Sequence, residues 1–279
     1  MTGQGDIFVI IESRPFDTTP PSDVRHVQIT AARAAEERPR PDEIDEVIRR
    51  VPAEGVRTLR IHYSSRLTRL PPIDRFKNLK VLEIQNRTIK DLGPLFALEH
   101  LESLTLTSVK ADRLPALQGR RYNYVRLIRG NIVQLDLTAR NVFCQECSHL
   151  VSFGGAEISF ADVQSCKNVD LSTFAPVRGL IDLRIVGTGP VVTSFDFAVG
   201  CRDLKNLTIT TLRSTTDFSA LGRAPALRSA FLLVKRSMLA RVAGDCPHLV
   251  ISNGDVCFRG CQQMTHFDFE RERAAILGV

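Results

Sequence analysis

Apolar residues recur along the chain in a short pattern in which leucine-like positions alternate with polar ones. Six segments have the spacing L-x-x-L-x-L, where L is an apolar residue and x is any residue: VRTLRI from Val56, LKVLEI from Leu79, LESLTL from Leu101, IVQLDL from Ile132, LIDLRI from Leu180 and LKNLTI from Leu204. Weaker matches begin at Leu227, Leu249 and Met264. Alternation over so few residues is typical of a half-buried β-strand, so each segment predicts one strand.

The matches also keep a period. The first three begin 23 and 22 residues apart, and those from Leu180 to Leu249 begin 24, 23 and 22 residues apart. Upstream, the segments KDLGPLF, VDLSTFA and TDFSALG align through Asp91, Asp170 and Asp217, as the returning halves of repeats would. A period in this range predicts about ten stacked units, each of which buries its apolar face only against its neighbours.

This pattern resembles the leucine-rich repeat family, chiefly its short 22-to-23-residue bacterial and SDS22-like types, from about Val56 to Phe269. The resemblance implies an α/β repeat solenoid: a curved horseshoe with a parallel β-sheet on the concave face and short helices and turns on the convex face. The family's Asn, Cys or Thr three residues after the last strand leucine fits at Thr188 and Cys257 but is mostly replaced elsewhere. The stretch 122–169 matches least well, and we expect a distorted or extra-short repeat there.

Residues 1–55 do not repeat. They contain two strand-like segments, DIFVIIES and VRHVQIT, and an amphipathic segment PDEIDEVIRRV. Pro41 followed by acidic Asp42 and Glu43 favours the first turn of a helix, where negative charge complements the helix dipole. We therefore predict a capping segment over residues 1–55 and a solenoid with a short C-terminal tail over residues 56–279.

Outward-pointing strand residues form the candidate binding surface, because alternate side chains of a strand face opposite sides of the sheet. In the family that it resembles, this concave sheet is the usual surface for protein partners. Arg60 and Arg184 are candidate anchors because a guanidinium makes paired hydrogen bonds with a carboxylate, and Phe231 with Leu233 predicts an apolar spot. The candidate partner-binding residues are Arg60, His62, Glu83, Gln85, Asp136, Asp182, Arg184, Phe231, Leu233 and Asp268.

Cysteine and histidine residues offer an alternative chemistry. Cys144 and Cys147, with His149 nearby, are residue types that Zn²⁺ prefers. However, Cys147, like Cys201, Cys246 and Cys261, precedes the first apolar anchor of a repeat by three residues, and Phe, Leu, Val and Ala occupy that place in other repeats. A position shared by these residues indicates packing, with cysteine acting as a small apolar side chain. We predict no metal or other cofactor, and a zinc or thiol protein remains an alternative.

The charge pattern gives a second alternative, a nucleic-acid-associated protein. The formal net charge is +6, but the arginines are interleaved with acidic residues along the whole chain. Nucleic-acid binding would need these charges to converge on one face, so this partner is disfavoured.

Other functions lack a recognisable motif. No nucleotide-binding, nucleophile-elbow or zinc-protease signature is present, so we expect neither enzymatic activity nor a small-molecule substrate. The apolar run IFVII near the N-terminus is too short for a signal peptide or a membrane span, which predicts a cytoplasmic protein without a membrane partner. The sequence favours a protein–protein interaction module, such as an adaptor, an inhibitor or an immunity-type protein.

Overall fold

The computed structural model describes residues 8–11, 24–29, 41–62, 67–114, 120–260 and 262–278. The chain forms two compact units, Met1–Ile132 and Val133–Val279. No helix among the described residues is long and apolar enough to cross a membrane.

The first unit is a parallel sheet in which each strand pairs with the next one along the chain. Its strands are β1 (Phe8–Ile11), β2 (His26–Ile29), β3 (Thr58–His62), β4 (Val81–Gln85), β5 (Ser103–Thr107) and β6 (Arg121–Ile128). Helix α1 (Pro41–Arg50) connects β2 to β3, and 3-10 helices at Ile73–Arg75 and Gly93–Ala97 lie between the later strands. The strands predicted from Val56, Leu79 and Leu101 are confirmed.

Inward-pointing aliphatic residues hold these strands in register. Leu59, Leu82, Leu104 and Val125 are partners across β3 to β6, and all are buried. A second buried row follows two residues later along each strand. Each repeat thus contributes one thin layer to a continuous core, as a repeat solenoid requires.

The second unit repeats this architecture. Its main sheet has parallel strands β7 (Thr138–Gln145), β8 (Glu157–Gln164), β9 (Asp182–Val186), β11 (Asn206–Ile209), β13 (Ser229–Leu232) and β14 (Val250–Ser252). Antiparallel strands β15 (Cys257–Arg259) and β16 (Gln262–Met264) follow. A second small sheet pairs β10 (Val192–Ser194) with β12 (Leu212–Asp217). The connections contain α2 (Asp196–Gly200), α3 (Arg236–Asp245), 3-10 helices at Leu171–Phe174 and Leu221–Arg223, and the C-terminal helix α4 (His266–Leu277).

The predicted strand IVQLDL from Ile132 is wrong, because the strand of this repeat begins at Thr138. Its buried inward positions are Ala139, Val142 and Cys144. These residues have the L-x-x-L-x-L spacing, but two of them are small and do not stand out as apolar anchors. Strand β8 has the same pattern, and its Ala161 pairs with Val142 after only 19 residues. The extra-short repeat expected in this stretch is therefore present.

The corrected register changes the position of two cysteines. Cys147 and Cys166 each follow the last inward anchor by three residues, the place where the repeat family has Asn, Cys or Thr. The peptide N–H of Cys147 donates to the Cys166 sulfur at 3.4 Å, and the Cys166 thiol donates to the Cys144 carbonyl at 3.6 Å. The Cys166 sulfur therefore binds backbone groups of the neighbouring repeat, whereas the Cys147 thiol donates to the Gln145 carbonyl of its own repeat at 3.4 Å. The predicted position of Cys147 before a strand is wrong, whereas Cys201 and Cys246 do lie buried before the repeats that follow them.

The weak strand predicted from Met264 is also wrong, because only Met264 belongs to a strand and the following residues form α4. Thr265 caps this helix: its hydroxyl accepts from the Asp268 N–H at 3.1 Å and donates to the Asp268 carboxylate at 2.6 Å. The first of these contacts satisfies one of the free N–H groups of the first turn. Asp268 therefore lies in the first turn of a helix and is not an outward strand residue.

The fold is the α/β repeat solenoid that the leucine-rich repeat pattern predicts. Within residues 1–55, β1 and β2 extend the parallel sheet of β3 in register. The boundary at residue 55 between a capping segment and the solenoid remains a prediction.

Candidate partner-binding strand faces

The outward side chains of β3 to β6 form one surface of the first unit, which we call the first strand face. Because the strands pair in register, Arg60, Glu83, Thr105 and Arg126 form one row across them. All side chains of the face are half-buried or exposed. Its members are Thr58, Arg60, His62, Val81, Glu83, Gln85, Ser103, Thr105, Thr107, Tyr124, Arg126 and Ile128.

A charged cluster lies at the centre of β3 and β4. One carboxylate oxygen of Glu83 lies 3.2 Å from Nε of Arg60, and the other lies 3.2 Å from Nε2 of His62. Gln85 is the cross-strand partner of His62. The structure thus brings together the four predicted residues of this unit. Because exposed ion pairs contribute only about 0–1 kcal/mol to stability, the cluster does little for folding.

Strand β6 adds three residues that the sequence analysis missed, Tyr124, Arg126 and Ile128. They were missed because Tyr122 takes the place of the first aliphatic anchor of this strand. Burial raises the pKa of Tyr122 to about 12, so its phenol stays neutral in the core. The spacing Tyr122-x-x-Val125-x-Leu127 would have identified the strand if tyrosine had been accepted as an anchor.

The corresponding surface of the second unit, the second strand face, is formed by the outward residues of β7 to β14. It contains predicted residues Asp182, Arg184 and Phe231. The sequence analysis did not single out the remaining members, and it misplaced the strands of the middle repeats. These members are Asn141, Phe143, Gln145, Phe160, Asp162, Gln164, Val186, Asn206, Thr208, Ser229, Val250 and Ser252.

Helix α4 covers part of this second face. It packs against β11 and β14, and its Phe269, only 1% exposed, lies in an apolar cluster with Val250, Cys257 and Met264. An ion pair of 2.6 Å between Arg259 and Glu272 links the helix to β15. Consequently the outward side chains of Asn206, Ser229 and Ser252 are buried although they point away from the core.

A polar network lies under the helix. The Asn206 amide donates to a carboxylate oxygen of Asp182 at 2.7 Å and accepts from the Ser229 hydroxyl. Burial raises the pKa of Asp182, and the hydrogen bond from Asn206 and the positive charges of Arg273 and Arg184 offset this only in part. Arg184 lies 3.5 Å from the carboxylate of Asp162 on the neighbouring strand.

Three predicted residues lie outside the strand faces. Asp136 precedes β7 in an irregular segment, and Asp268 lies in the first turn of α4. Leu233 follows the end of β13 and is 53% exposed. It lines an open groove of about 540 Å³ with Leu212, Arg213, Val234, Lys235 and Met238.

The cysteines of the zinc alternative are buried. Burial is the main cause that raises the pKa of Cys144, while the pKa of Cys166 is raised chiefly by its contact with Cys147. A raised pKa favours the thiol over the thiolate that binds metals. In the described part of the chain, no group of three His, Cys, Asp or Glu side chains could hold a metal ion. Cys261 lies outside the described residues.

No family model and no curated protein sequence matches the chain. Among solved structures, it is similar to internalin InlF from Listeria monocytogenes, with a TM-score of 0.42 and 12% identity over 83% of this chain. A leucine-rich repeat protein from Leptospira interrogans gives a TM-score of 0.40 and 11% identity, also over 83%. A chain of the Toll–Spätzle complex from Drosophila gives 0.30 and 14% over 88%. The chain spans 68%, 66% and 54% of these three chains, respectively.

Proposed function

We propose that this protein is an interaction module that binds a protein partner through the first strand face. The observation that carries the proposal is the cluster of Arg60, Glu83 and His62 on register-matched strands whose outward side chains are all half-buried or exposed. The roles of adaptor, inhibitor and immunity-type protein all use this contact and differ only in what the partner does.

The face suits protein recognition for two physical reasons. Its side chains stand on paired strands, so the backbone is already ordered and binding costs less conformational entropy than at a loop. It also combines directional charged groups with an exposed aromatic residue, Tyr124, and tyrosine and arginine are common in binding hot spots. We therefore expect Arg60 and Tyr124 to contact the partner.

Site-specific photo-crosslinking tests which surface meets the partner. A p-benzoylphenylalanine residue replaces Thr105 on the first strand face or, as the control, Phe96, which is 53% exposed in the 3-10 helix between β4 and β5. Illumination in the native cell should give a discrete crosslinked protein from position 105 and none from position 96. A crosslink from position 96 alone, or from neither position, would contradict the proposal.

Once the partner is known, its affinity for charge-reversal variants tests whether the cluster of Arg60, His62 and Glu83 contributes to binding. Arg60→Glu should weaken binding by about tenfold or more, the equivalent of about 1.4 kcal/mol. Lys77→Glu makes the same change of charge at an exposed residue away from the face and should leave the affinity unchanged. If the crosslinked species is nucleic acid, and binding falls steeply with salt, the nucleic-acid alternative replaces this proposal.

A further inference from the structure

The part of the second strand face under α4 is unusually polar for a buried surface. Asp182, Asn206, Thr208 and Ser229 all point toward the helix side of the sheet and are at most 9% exposed. Burying polar groups is unfavourable unless hydrogen bonds replace those with water. The Thr208 hydroxyl and Nε of Arg273 are both buried without a hydrogen-bond partner among the described residues. Two polar atoms of this surface thus lack, within the described part of the chain, the hydrogen bonds that would offset their burial.

Few contacts hold α4 on this surface. Phe269 is its one fully buried apolar side chain, whereas Phe267 is 74% exposed. The Arg259–Glu272 ion pair is partly exposed, and such pairs are weak. The capping contact between Thr265 and Asp268 lies within the helix and its cap, so it stabilises α4 without help from the sheet.

The groups that α4 presents to the face form a simple pattern. Phe269 and Arg273 are four residues apart, so they lie on the same side of the helix. Phe269 packs against Val250 and Cys257, and the positive charge of Arg273 lowers the pKa of the buried Asp182. The face thus offers an apolar site beside the buried carboxyl of Asp182, which complements a helix with the pattern aromatic-x-x-x-Arg.

We propose that the second strand face is a docking site for a helical segment of a partner protein, and that α4 occupies it as a displaceable internal ligand. The partner helix carries an aromatic residue and, four positions later, an arginine. It replaces α4 on β11 and β14. The proposal does not depend on the first strand face, so either can fail alone.

Competition with α4 sets the expected affinity. An internal ligand on a short connection has an effective concentration in the millimolar range, so it outcompetes an identical free peptide at micromolar concentration. The apparent affinity for an added helix equals the intrinsic affinity of the open site multiplied by the fraction of molecules in which the site is open. A substitution of Phe269 that weakens the binding of α4 to the face should therefore raise the affinity of the chain for a peptide with the sequence of α4.

A labelled peptide tests this in the full chain. The probe is a fluorescein-labelled synthetic peptide, THFDFERERAAILGV, which has the sequence of residues 265–279. The Phe269→Ala chain should bind it at least about tenfold more tightly than the wild type does. The Phe267→Ala chain is the matched control and should behave like the wild type. A peptide with alanine at the position of Phe269 should bind none of them.

Three results would overturn the proposal: no binding to a folded Phe269→Ala chain, equal binding to all three chains, or equal binding of the alanine peptide. If Phe269→Ala does not fold, hydrogen exchange of the wild-type chain tests whether α4 is displaceable. The amides of α4 should then exchange at least about tenfold faster than those of β11 and β13, because a displaceable helix opens locally. Equal protection would show that α4 is an integral part of the unit.

Discussion

Thr105 and Thr208 each lie between the two inward anchors of a strand, one in each unit, and they differ in what surrounds them. Thr105 is half-buried on a face of polar and charged side chains, whereas Thr208 is 6% exposed beneath α4. The same repeat therefore produces both an open and a covered surface. The comparison shows that an outward position in a repeat strand does not by itself make a residue available to a partner.

The carboxylates of the two faces show the chemical consequence. Glu83 is partly exposed and lies between a guanidinium and an imidazole. Asp182 is buried, and its pKa is raised because burial penalises the charged form. Water can solvate the charge on the first face, whereas the second face must rely on neighbouring amides and hydroxyls.

Among substitutions that distinguish the two faces, Asn206→Ala should cause the largest loss in the free energy of unfolding. Removing this amide leaves the Asp182 carboxylate and the Ser229 hydroxyl buried without their partner, which costs about 1–3 kcal/mol. Ser103→Ala, at the corresponding outward position of the first face, should change the free energy of unfolding by at most about 0.5 kcal/mol. Urea denaturation measures the free energy of unfolding of both variants. Similar losses of stability would contradict the difference between an open first face and a covered second face.

A smaller, pH-dependent effect should come from Asp182→Asn. The folded-state pKa of Asp182 lies above its ordinary value of 3.8, so protonation favours the folded state. The contribution of this group to stability is present in acid and is lost as the pH rises through the raised pKa. Asparagine does not titrate, and its oxygen can still accept the hydrogen bond from Asn206. The Tm of the variant relative to the wild type should therefore increase as the pH rises above 3.8. A constant difference would be inconsistent with a buried carboxylate.

The smallest effect is expected from Glu83→Gln on the first face. It removes the charge shared by Arg60 and His62, which should cost about 0–1 kcal/mol and less at high salt. Denaturation at low and high ionic strength measures the change. A loss of several kcal/mol would mean that the cluster is structural, and its availability to a partner would be in doubt.

The sequence predicted strands well where large aliphatic residues mark the inward positions. Leu82 with Ile84 and Leu207 with Ile209 identify β4 and β11, because few other arrangements place two such residues so regularly. The middle repeats were misplaced because their anchors include the small residues Ala139, Cys144 and Ala161. The larger apolar residues of IVQLDL fit the L-x-x-L-x-L pattern better than the residues of the actual strand, β7.

The binding face was only partly predictable for a different reason. Arg60, His62, Glu83 and Gln85 are neighbours because their strands are consecutive, which the repeat alone implies. The cover over Asp182 and Asn206 depends on a helix more than fifty residues later in the chain. The alternating phenylalanines of MTHFDF favour another strand, whereas the structure forms a helix that Thr265 caps.

Cysteine accessibility tests the difference between the faces most directly. Thr105→Cys and Thr208→Cys are introduced separately into a Cys261→Ser chain, whose other six cysteines are buried, and maleimide labelling is followed by mass spectrometry. Position 105 should react at least about tenfold faster than position 208, because labelling under α4 requires local opening. Adding Phe269→Ala should accelerate only position 208. Equal rates at the two positions, or no acceleration, would contradict an open first face and a second face covered by α4.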